Sequence, residues 1–158
     1  MDIHRARPEQ APILSALAFA SKASWGYDAL SMERFRDELT VSAVYIDAHP
    51  VYVAVSDGDL LGFHALADVN PEGEVLLDFL FINPETQGRG VGRALFHDAV
   101  SRAAALGASW LLIESDPHAE GFYRRMGAEP AGQVRSRSAS GRILPRLRFR
   151  ISGRPPNH

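Results

Sequence analysis

The stretch Ile82–Arg93, INPETQGRGVGR, constrains the fold more than any other part of the sequence. It follows an apolar run at 75–82 and precedes a segment whose apolar residues recur every three or four positions, which predicts a strand before it and a helix after it. Gly88, Gly90 and Gly92 have no Cβ, so the backbone can turn sharply there and approach a ligand closely. The first N–H groups of a helix have no intrahelical partner and lie at its positive end, where phosphate binds. We therefore predict a phosphate-binding loop.

The spacing of these glycines excludes two common phosphate loops. A dinucleotide fingerprint needs GxGxxG, and a Walker loop needs Gly-Lys-Ser/Thr, whereas here Gly92 is followed by Arg93 and Ala94. The pattern Gln87-x-x-Gly90-x-Gly92, after a strand and a proline, resembles the pyrophosphate loop of the GNAT superfamily of acyl-CoA-dependent N-acetyltransferases. The alternative interpretation is an ordinary glycine-rich turn between a strand and a helix.

A second motif downstream favours the family resemblance. In the family, a strand is followed by an Asn-x-x-Ala-x-x-x-Tyr helix and then Gly-Phe, and Ala119, Tyr123 and Gly127 fall at the matching positions. Asp116 stands where the family usually has Asn, and Ala128 where it usually has Phe. The resemblance covers roughly residues 2–151, with both motifs in the right order. The segments at 21–27, 114–128 and 141–147 also resemble a bacterial subgroup of the family.

Hydrophobic periodicity and turn residues predict one α/β domain over residues 1–152, with a frayed tail at 153–158. We expect strands at 2–7, 51–55, 60–67, 74–82, 110–113, 129–136 and 144–151, and helices starting at Pro8 and Ser31 and covering 91–106 and 118–126. The order fits a mixed, mostly antiparallel central sheet with helices on both faces. The resemblance implies that the two central strands splay apart and admit the pantetheine arm of acetyl-CoA between them.

Composition excludes several classes of protein and site. The chain has 158 residues, 46% of them hydrophobic, and no cysteine, which excludes disulfides, thiolate metal sites and a cysteine nucleophile. No apolar stretch reaches the ~20 residues that span a bilayer. The start, MDIHRARPEQ, is unlike a signal peptide, so we expect a cytoplasmic protein without membrane partners. The six histidines form no HxxxH or HxH pair, and we expect no metal site.

The C-terminal part of the chain is basic. Residues 131–158 contain seven arginines and no acidic residue, although the net charge of the whole chain is −2. Such a segment can indicate nucleic-acid binding. However, Arg146, Arg148 and Arg150 alternate with Leu147, Phe149 and Ile151, as in a strand with one solvated face, and no aromatic residues interleave on the arginine face. We therefore expect no nucleic-acid partner.

Amine acetylation needs a proton acceptor for the amine and a donor for the leaving thiolate. The resemblance puts Tyr123 beside the CoA sulfur, where a phenol with a pKa near ~10 could share a proton with a thiolate. The alternative is a core aromatic residue. Asp78 interrupts an apolar strand, where a carboxylate is costly unless it is paired or borders a cavity, so it is either the base or half of an ion pair. Glu114, at the end of the next strand, is the rival base.

The resemblance also assigns residues to the two ligands. The expected contacts to acetyl-CoA are Phe81, Ile82, Gln87, Gly88, Arg89, Gly90, Val91, Gly92, Arg93, Asp116, Ala119, Phe122 and Tyr123. We also expect Asp116 to cap the helix that follows it. The expected acceptor contacts are Lys22, Trp25, Tyr27 and His64, with Lys22 favouring an anionic group. Trp25 could instead join the first two helices, and His64 is the weakest of these candidates.

The family resemblance, together with these candidate residues, implies an N-acetyltransferase that transfers an acetyl group from acetyl-CoA to the amine of a small, amino-acid-like molecule by direct attack. A homodimer is left open. A second interpretation is a degenerate acyl-CoA-binding or sensing module that keeps the loop without turnover, although Tyr123 and a candidate base favour the enzyme. A nucleic-acid binder using the arginine-rich end is the third interpretation. Heparin retention and a CoA-dependent thermal shift would separate them.

Overall fold

The computed structural model describes residues 1–136 and 141–151. The expected tail at 153–158 lies outside the described residues. In chain order, the elements are β1 (Asp2–Arg5), a 3-10 turn (Pro8–Gln10), α1 (Ala11–Ala23), α2 (Ala29–Leu39), α3 (Ala43–Ala48), β2 (Val51–Ser56), β3 (Asp59–Leu66), β4 (Glu74–Ile82), a second 3-10 turn (Pro84–Thr86), α4 (Val91–Ala105), β5 (Trp110–Glu114), α5 (Glu120–Arg125), β6 (Glu129–Arg135) and β7 (Ile143–Arg150).

Within the described part of the chain, the strands form one seven-stranded sheet in the order β1-β2-β3-β4-β5-β7-β6. The neighbouring strands are antiparallel, except that β4 and β5 are parallel and are connected through α4. A parallel pair needs a crossover connection of this kind. The mixed, mostly antiparallel sheet expected from the sequence is therefore confirmed.

Helices cover both faces of the sheet because each face has its own apolar cluster. One cluster joins α1, α2 and α3 to the first half of the sheet, with Leu14 and Phe63 at its centre. The second joins α4 and α5 to the second half, with Phe96 and Leu111 fully buried. A third, smaller cluster packs Val91 and Leu95 of α4 against residues of β2 and β3. Helix α4 therefore packs on both halves of the sheet, across β4.

The contact between the halves is short. β4 and β5 pair only from Glu74 opposite Trp110 to Leu76 opposite Leu112, although β4 continues to Ile82. Beyond this point β4 remains paired with β3, while β5 pairs with β7. The two central strands thus part along the second half of β4, as the family resemblance implied.

Two predicted helix starts need correction, and one helix was missed. The second helix begins at Ala29 rather than Ser31, because the Asp28 side chain accepts from the Ser31 N–H and caps it. The helix α3 was not predicted, since its sequence AVYIDA is short and rich in β-branched and aromatic residues; the Ser42 side chain caps it. The regular part of α5 begins at Glu120 rather than His118, after a turn.

In β7, arginine and apolar residues alternate so that one face of the strand is solvated, as predicted. Leu147 is buried in the core, whereas Arg148 and Arg150 are exposed. These two guanidinium groups lie 4.3 Å and 5.3 Å from the ring centroid of Trp110 on the neighbouring strand β5. The arginine face therefore does carry one aromatic ring, supplied by β5, which the sequence of β7 alone could not reveal.

Candidate active site

A cleft of about 690 Å³ opens where β4 and β5 part. Its walls come from the last residues of β4 and β5, the glycine loop, α5 and the ends of α1 and α2. The expected site residues that line it are Lys22, Trp25, Asp78, Phe81, Ile82, Gln87, Gly88, Gly90, Val91, Gly92, Arg93, Glu114, Asp116, Ala119, Phe122 and Tyr123. Residues predicted for three separate roles therefore share one cavity.

The glycine loop leads into α4 with backbone angles that favour glycine. Gly88 has φ 82° and Gly90, the N-cap of α4, has φ 76°, a region that other residues enter at a cost. A Cβ added at either glycine would meet nothing within 4 Å, so both leave open space beside the backbone. This space adjoins the N-terminal N–H groups of a 15-residue helix, an arrangement suited to phosphate.

Gly92 is needed for a different reason. A Cβ there would lie 2.6 Å from Cδ1 of Ile82 and 3.3 Å from the Phe122 ring, so any larger residue would require the end of the Ile82 side chain to move. The glycine lets α4 approach both β4 and α5 closely. Arg89, which was also expected to contact the cofactor, is exposed and is not among the residues lining the cleft.

Tyr123 reaches the cleft from the buried face of α5. Its N–H donates to the Ala119 carbonyl at 3.2 Å, as expected for two residues on the same helix face. The ring packs against Phe96 and Phe122, and only 7% of the residue is exposed. Burial raises the pKa of the Tyr123 hydroxyl, because the phenolate loses hydration. At neutral pH this group is therefore a proton donor.

The two candidate bases have different surroundings. Asp78 is half-buried, and its Oδ2 accepts a hydrogen bond of 2.5 Å from the Tyr45 hydroxyl of α3. Glu114, also half-buried, stands directly opposite Arg146 in the β5–β7 ladder. An opposite charge at a cross-strand position favours a structural role. Asp78 is thus the stronger candidate for proton transfer.

Asp116 is the centre of a polar cluster that we call the Asp116 cluster, formed with Lys22, Tyr27, His118 and Arg142. Asp116 Oδ2 accepts from the Tyr27 hydroxyl at 2.7 Å and lies 3.3 Å from Lys22 Nζ and 3.4 Å from an Arg142 nitrogen. Its Oδ1 accepts from the His118 N–H and lies 2.8 Å from His118 Nδ1. The cluster joins the end of α1 to the ends of β5 and β7.

The Asp116 cluster stabilises a charged carboxylate. Burial alone would raise the pKa of Asp116, but hydrogen bonds from the His118 N–H, the Tyr27 hydroxyl and the His118 ring, together with the Lys22 charge, lower it to about 2. The expectation that Asp116 caps the following helix needs correction, because the N-cap of α5 is Ala119 and Asp116 instead accepts from the His118 N–H in the turn before the helix. Both carboxylate oxygens of Asp116 already bind groups of the protein, which argues against a direct contact with the cofactor.

This gives a prediction for stability against pH. A carboxyl group whose folded pKa is depressed stabilises the protein above its unfolded pKa, and the effect is lost as the pH falls through the folded value. We expect Asp116→Asn to lower the free energy of unfolding near neutral pH by about 2 kcal/mol. The difference from the wild type should shrink to about half near pH 3, between the two pKa values. Urea unfolding at both pH values measures it, and a difference independent of pH would contradict the assignment.

Two expected acceptor contacts have partners within the protein. Lys22 lines the cleft, and its Nζ lies 3.4 Å from Glu38 and 3.3 Å from Asp116, so two carboxylates share its charge. Its attraction for an anionic acceptor stays a prediction. The Tyr27 side chain supports the cleft wall through Asp116 and does not line the cleft. Trp25 does line the cleft, stacked on His118 at 5.8 Å between ring centroids.

His64 is not part of the cleft. It is fully buried, its Nε2 lies 2.8 Å from Asp98 of α4, and its ring stacks on Tyr52. The expectation that His64 contacts the acceptor is therefore wrong, because the side chain points to α4 on the other face of the sheet. Sequence reasoning in turn missed Tyr45, Arg142 and His118. A tyrosine within a short, unpredicted helix and a lone arginine carry no local signal of their distant partners.

Two negative findings concern the described residues. Residues 1–136 and 141–151 contain no group of three or more histidine, cysteine or acidic side chains arranged to hold a metal ion. Within the same ranges, no helix has both the length and the apolar character required to cross a bilayer.

Comparisons with known proteins agree with this architecture. Residues 9–139 match the family described as Acetyltransferase (GNAT) domain. The chain is 32% identical over 135 residues to the peptidyl-lysine N-acetyltransferase YjaB of Escherichia coli K12, covering 84% of this chain and 85% of that protein. In structure it is similar to a GCN5-related N-acetyltransferase from Rhodopseudomonas palustris, with a TM-score of 0.78 and 18% identity over 95% of both chains.

A further similar structure contains the acyl donor. The protein yncA of Salmonella typhimurium was solved with its cofactor acetyl-CoA, and it matches with a TM-score of 0.71 and 16% identity over 100% of this chain and 98% of that one. The family match covers most of the chain, including the glycine loop and the Tyr123 motif. The chain therefore belongs to the GNAT acetyltransferase family, and it is an acyltransferase.

Proposed function

We propose that the protein transfers an acetyl group from acetyl-CoA to the primary amine of a small, amino-acid-like acceptor by direct attack. The observation that carries the proposal is the cleft between β4 and β5, which has the glycine loop along one wall and Tyr123 and Asp78 in its lining. One cavity thus combines an anion-binding helix end, a proton donor and a proton acceptor. These are the parts that amine acetylation needs.

The residues divide between the two ends of the cleft. The backbone N–H groups from Gln87 to Gly92 would hold the pyrophosphate, with Arg93 as the nearby cation. The open space beside Gly88 and Gly90 fits a ligand that approaches the backbone closely. Phe81 and Ile82 on β4, and Ala119 and Phe122 near α5, would border the arm of the donor.

In the reaction, the attacking amine would have to lose one proton and the departing thiolate would have to gain one. The amine nitrogen forms a bond to the thioester carbon and gives a proton to Asp78, with Glu114 as the alternative acceptor. The carbon–sulfur bond breaks, and the departing thiolate takes the proton of the Tyr123 hydroxyl. Solvent then returns the proton from Asp78 to the tyrosine. The Tyr123 hydroxyl is protonated at neutral pH when the reaction begins and can donate once negative charge reaches the sulfur, although burial, which raises its pKa, makes it a weaker acid than a free phenol.

A second acceptor class is favoured by one observation. The relative with 32% identity is a peptidyl-lysine N-acetyltransferase, so the ε-amine of a lysine within a protein is the second candidate. Free and peptide-bound amines present the same nucleophile but differ in size. The cleft should distinguish them through the groups at its mouth rather than through the chemistry at Asp78 and Tyr123.

The test is CoA release with a panel of acceptors. Free amines, amino acids and lysine-containing peptides are each mixed with the protein and acetyl-CoA, and the free thiol is measured against a reaction without acceptor. Faster thiol release with free amines or amino acids supports a small acceptor. Faster release with lysine-containing peptides only supports a lysine within a protein. If CoA raises the melting temperature but no acceptor increases thiol release, the protein is an acyl-CoA-binding module instead.

Trp25 supplies a prediction about the acceptor end. We expect Trp25→Ala to raise the KM for the acceptor about threefold to tenfold, the usual worth of an aromatic contact, and to leave CoA affinity unchanged. Trp110→Ala is a matched control, because Trp110 lies on β5 beneath two arginines and outside the cleft. An equal loss of acceptor and CoA binding in Trp25→Ala would indicate that the ring only packs α1 against His118.

A further inference from the structure

Asp78 occupies an irregular position in its strand. In the β3–β4 ladder Ala65 pairs with Phe79, and the next residue, Leu66, pairs with Leu77. Asp78 is therefore the extra residue of a β-bulge and has no partner of its own in β3. Bulges commonly turn a side chain out of the regular alternation of a strand. Here the bulge lies in the part of β4 that borders the cleft.

The side chain of Tyr45, which contacts Asp78, is held by packing on two sides of its ring. The Tyr45 ring stacks on His49 with 4.2 Å between centroids, and its edge packs on Phe79 at 5.5 Å. These contacts fix the direction of the hydroxyl, which donates to Asp78 Oδ2 at 2.5 Å. Burial, followed by the hydrogen bond to Asp78, raises the pKa of Tyr45. Tyr45 thus remains a donor throughout the pH range in which enzymes are assayed.

We propose that Tyr45 is the positioning residue for Asp78: it holds Oδ2 and leaves Oδ1 to take the proton of the acceptor amine. This inference rests on the proposed function, in which Asp78 is the base. Oδ1 has no hydrogen-bond partner among the residues that the structure describes, whereas Oδ2 is committed to Tyr45. Nothing else in the sequence marks Tyr45, which lies 33 residues from Asp78 in the chain.

The hydrogen bond has a measurable consequence. The hydroxyl fixes the direction of the carboxylate, so removing it lets Oδ1 turn away from the acceptor amine. Such a misplacement lowers the rate of the chemical step. Two other titratable groups lie near Tyr45, His49 of α3 and Asp68 after β3. The other charged or titratable groups that line the cleft are Lys22, Glu38, Arg93, Glu114, Asp116, His118, Tyr123 and Arg125. Tyr45→Phe changes none of their charges.

The experiment measures kcat, the acceptor KM and the CoA affinity of single and double variants, with the acceptor found in the panel. Asp78→Asn tests the base and should lower kcat by about 10²–10⁴-fold. Tyr45→Phe keeps the ring against His49 and Phe79, and it should lower kcat about tenfold without changing CoA affinity. In the Asp78→Asn background the same change should have no further effect, because Tyr45 acts through Asp78. Tyr52→Phe is the matched control: Tyr52 stacks on His64 away from the cleft and should leave kcat unchanged.

The outcomes separate the inference from the function on which it rests. If Asp78→Asn lowers kcat as expected but Tyr45→Phe changes it by less than about twofold, or changes it equally in the Asp78→Asn background, the role of Tyr45 is overturned and Asp78 remains the base. If Asp78→Asn keeps the wild-type kcat, the base assignment and the role of Tyr45 fall together. All rates are measured well below the lowest melting temperature of the variants, so that a less stable Tyr45→Phe still gives a decisive answer.

Discussion

Gly90→Val should lower the affinity for CoA by at least about a hundredfold, equivalent to about 2.7 kcal/mol, in a protein that still folds. Gly90 has φ 76°, which a β-branched residue adopts only as an outlier, so the loop must move. The open space beside Gly90, into which a valine side chain would point, is where the phosphates are proposed to approach. Backbone strain and steric exclusion therefore act together. Titration calorimetry with CoA measures the loss.

The matched control for this prediction is Gly58→Val. Gly58 lies in the turn between β2 and β3, has φ 81°, and also has nothing within 4 Å of an added Cβ. The variant should suffer similar backbone strain and a similar loss of stability, yet keep its affinity for CoA. Wild-type affinity in a folded Gly90→Val protein would refute the assignment of the loop, and an equal loss in Gly58→Val would attribute the effect to general destabilisation.

Tyr123→Phe should lower kcat towards the low end of the ~10²–10⁴-fold range of general acid catalysis. The low end is expected because a CoA thiolate is already a fair leaving group. The change removes one hydroxyl and little volume, so the packing against Phe96 and Phe122 should survive. The loss should appear in kcat rather than in CoA affinity, because the hydroxyl helps most when charge reaches the sulfur.

The measurement is kcat and CoA affinity for both proteins across the pH range, with the chemical step shown to limit the rate. Tyr52→Phe again serves as the control, since it removes a phenolic oxygen on β2 outside the cleft. A decrease in kcat of less than about threefold, well below the general-acid range, would mean that Tyr123 only packs the core and that the proton donor is another group.

The features that the sequence predicted correctly have local signals. The glycine loop lies between a strand and a helix because its turn residues and the periodicity on either side are adjacent in the chain. The Ala119–Tyr123 spacing likewise fixes one face of α5 within a few residues. Such patterns need no knowledge of the rest of the fold, and they identified two walls of the cleft.

The features that it missed depend on distant partners. Lys22 was expected to attract an anionic acceptor, but folding brings Glu38 and Asp116 to its ammonium group, and no pattern near residue 22 reveals either one. His64 was expected to contact the acceptor, but folding places its Nε2 2.8 Å from Asp98 of α4. A single sequence shows which side chains can ionise; which of them are neutralised depends on contacts between elements far apart in the chain.

The Asp116 cluster also bears on the order in which the site assembles. The hydrogen bonds between Tyr27 and Asp116 and between Tyr27 and Arg142 close loops of 89 and 115 residues. Loop-closure entropy grows with loop length, and contacts so distant in the chain contribute nothing until most of it has been ordered. The glycine loop and α4 require only neighbouring segments. On a ribosome, the acceptor wall therefore cannot close before Arg142 has emerged, long after the phosphate loop has been synthesised.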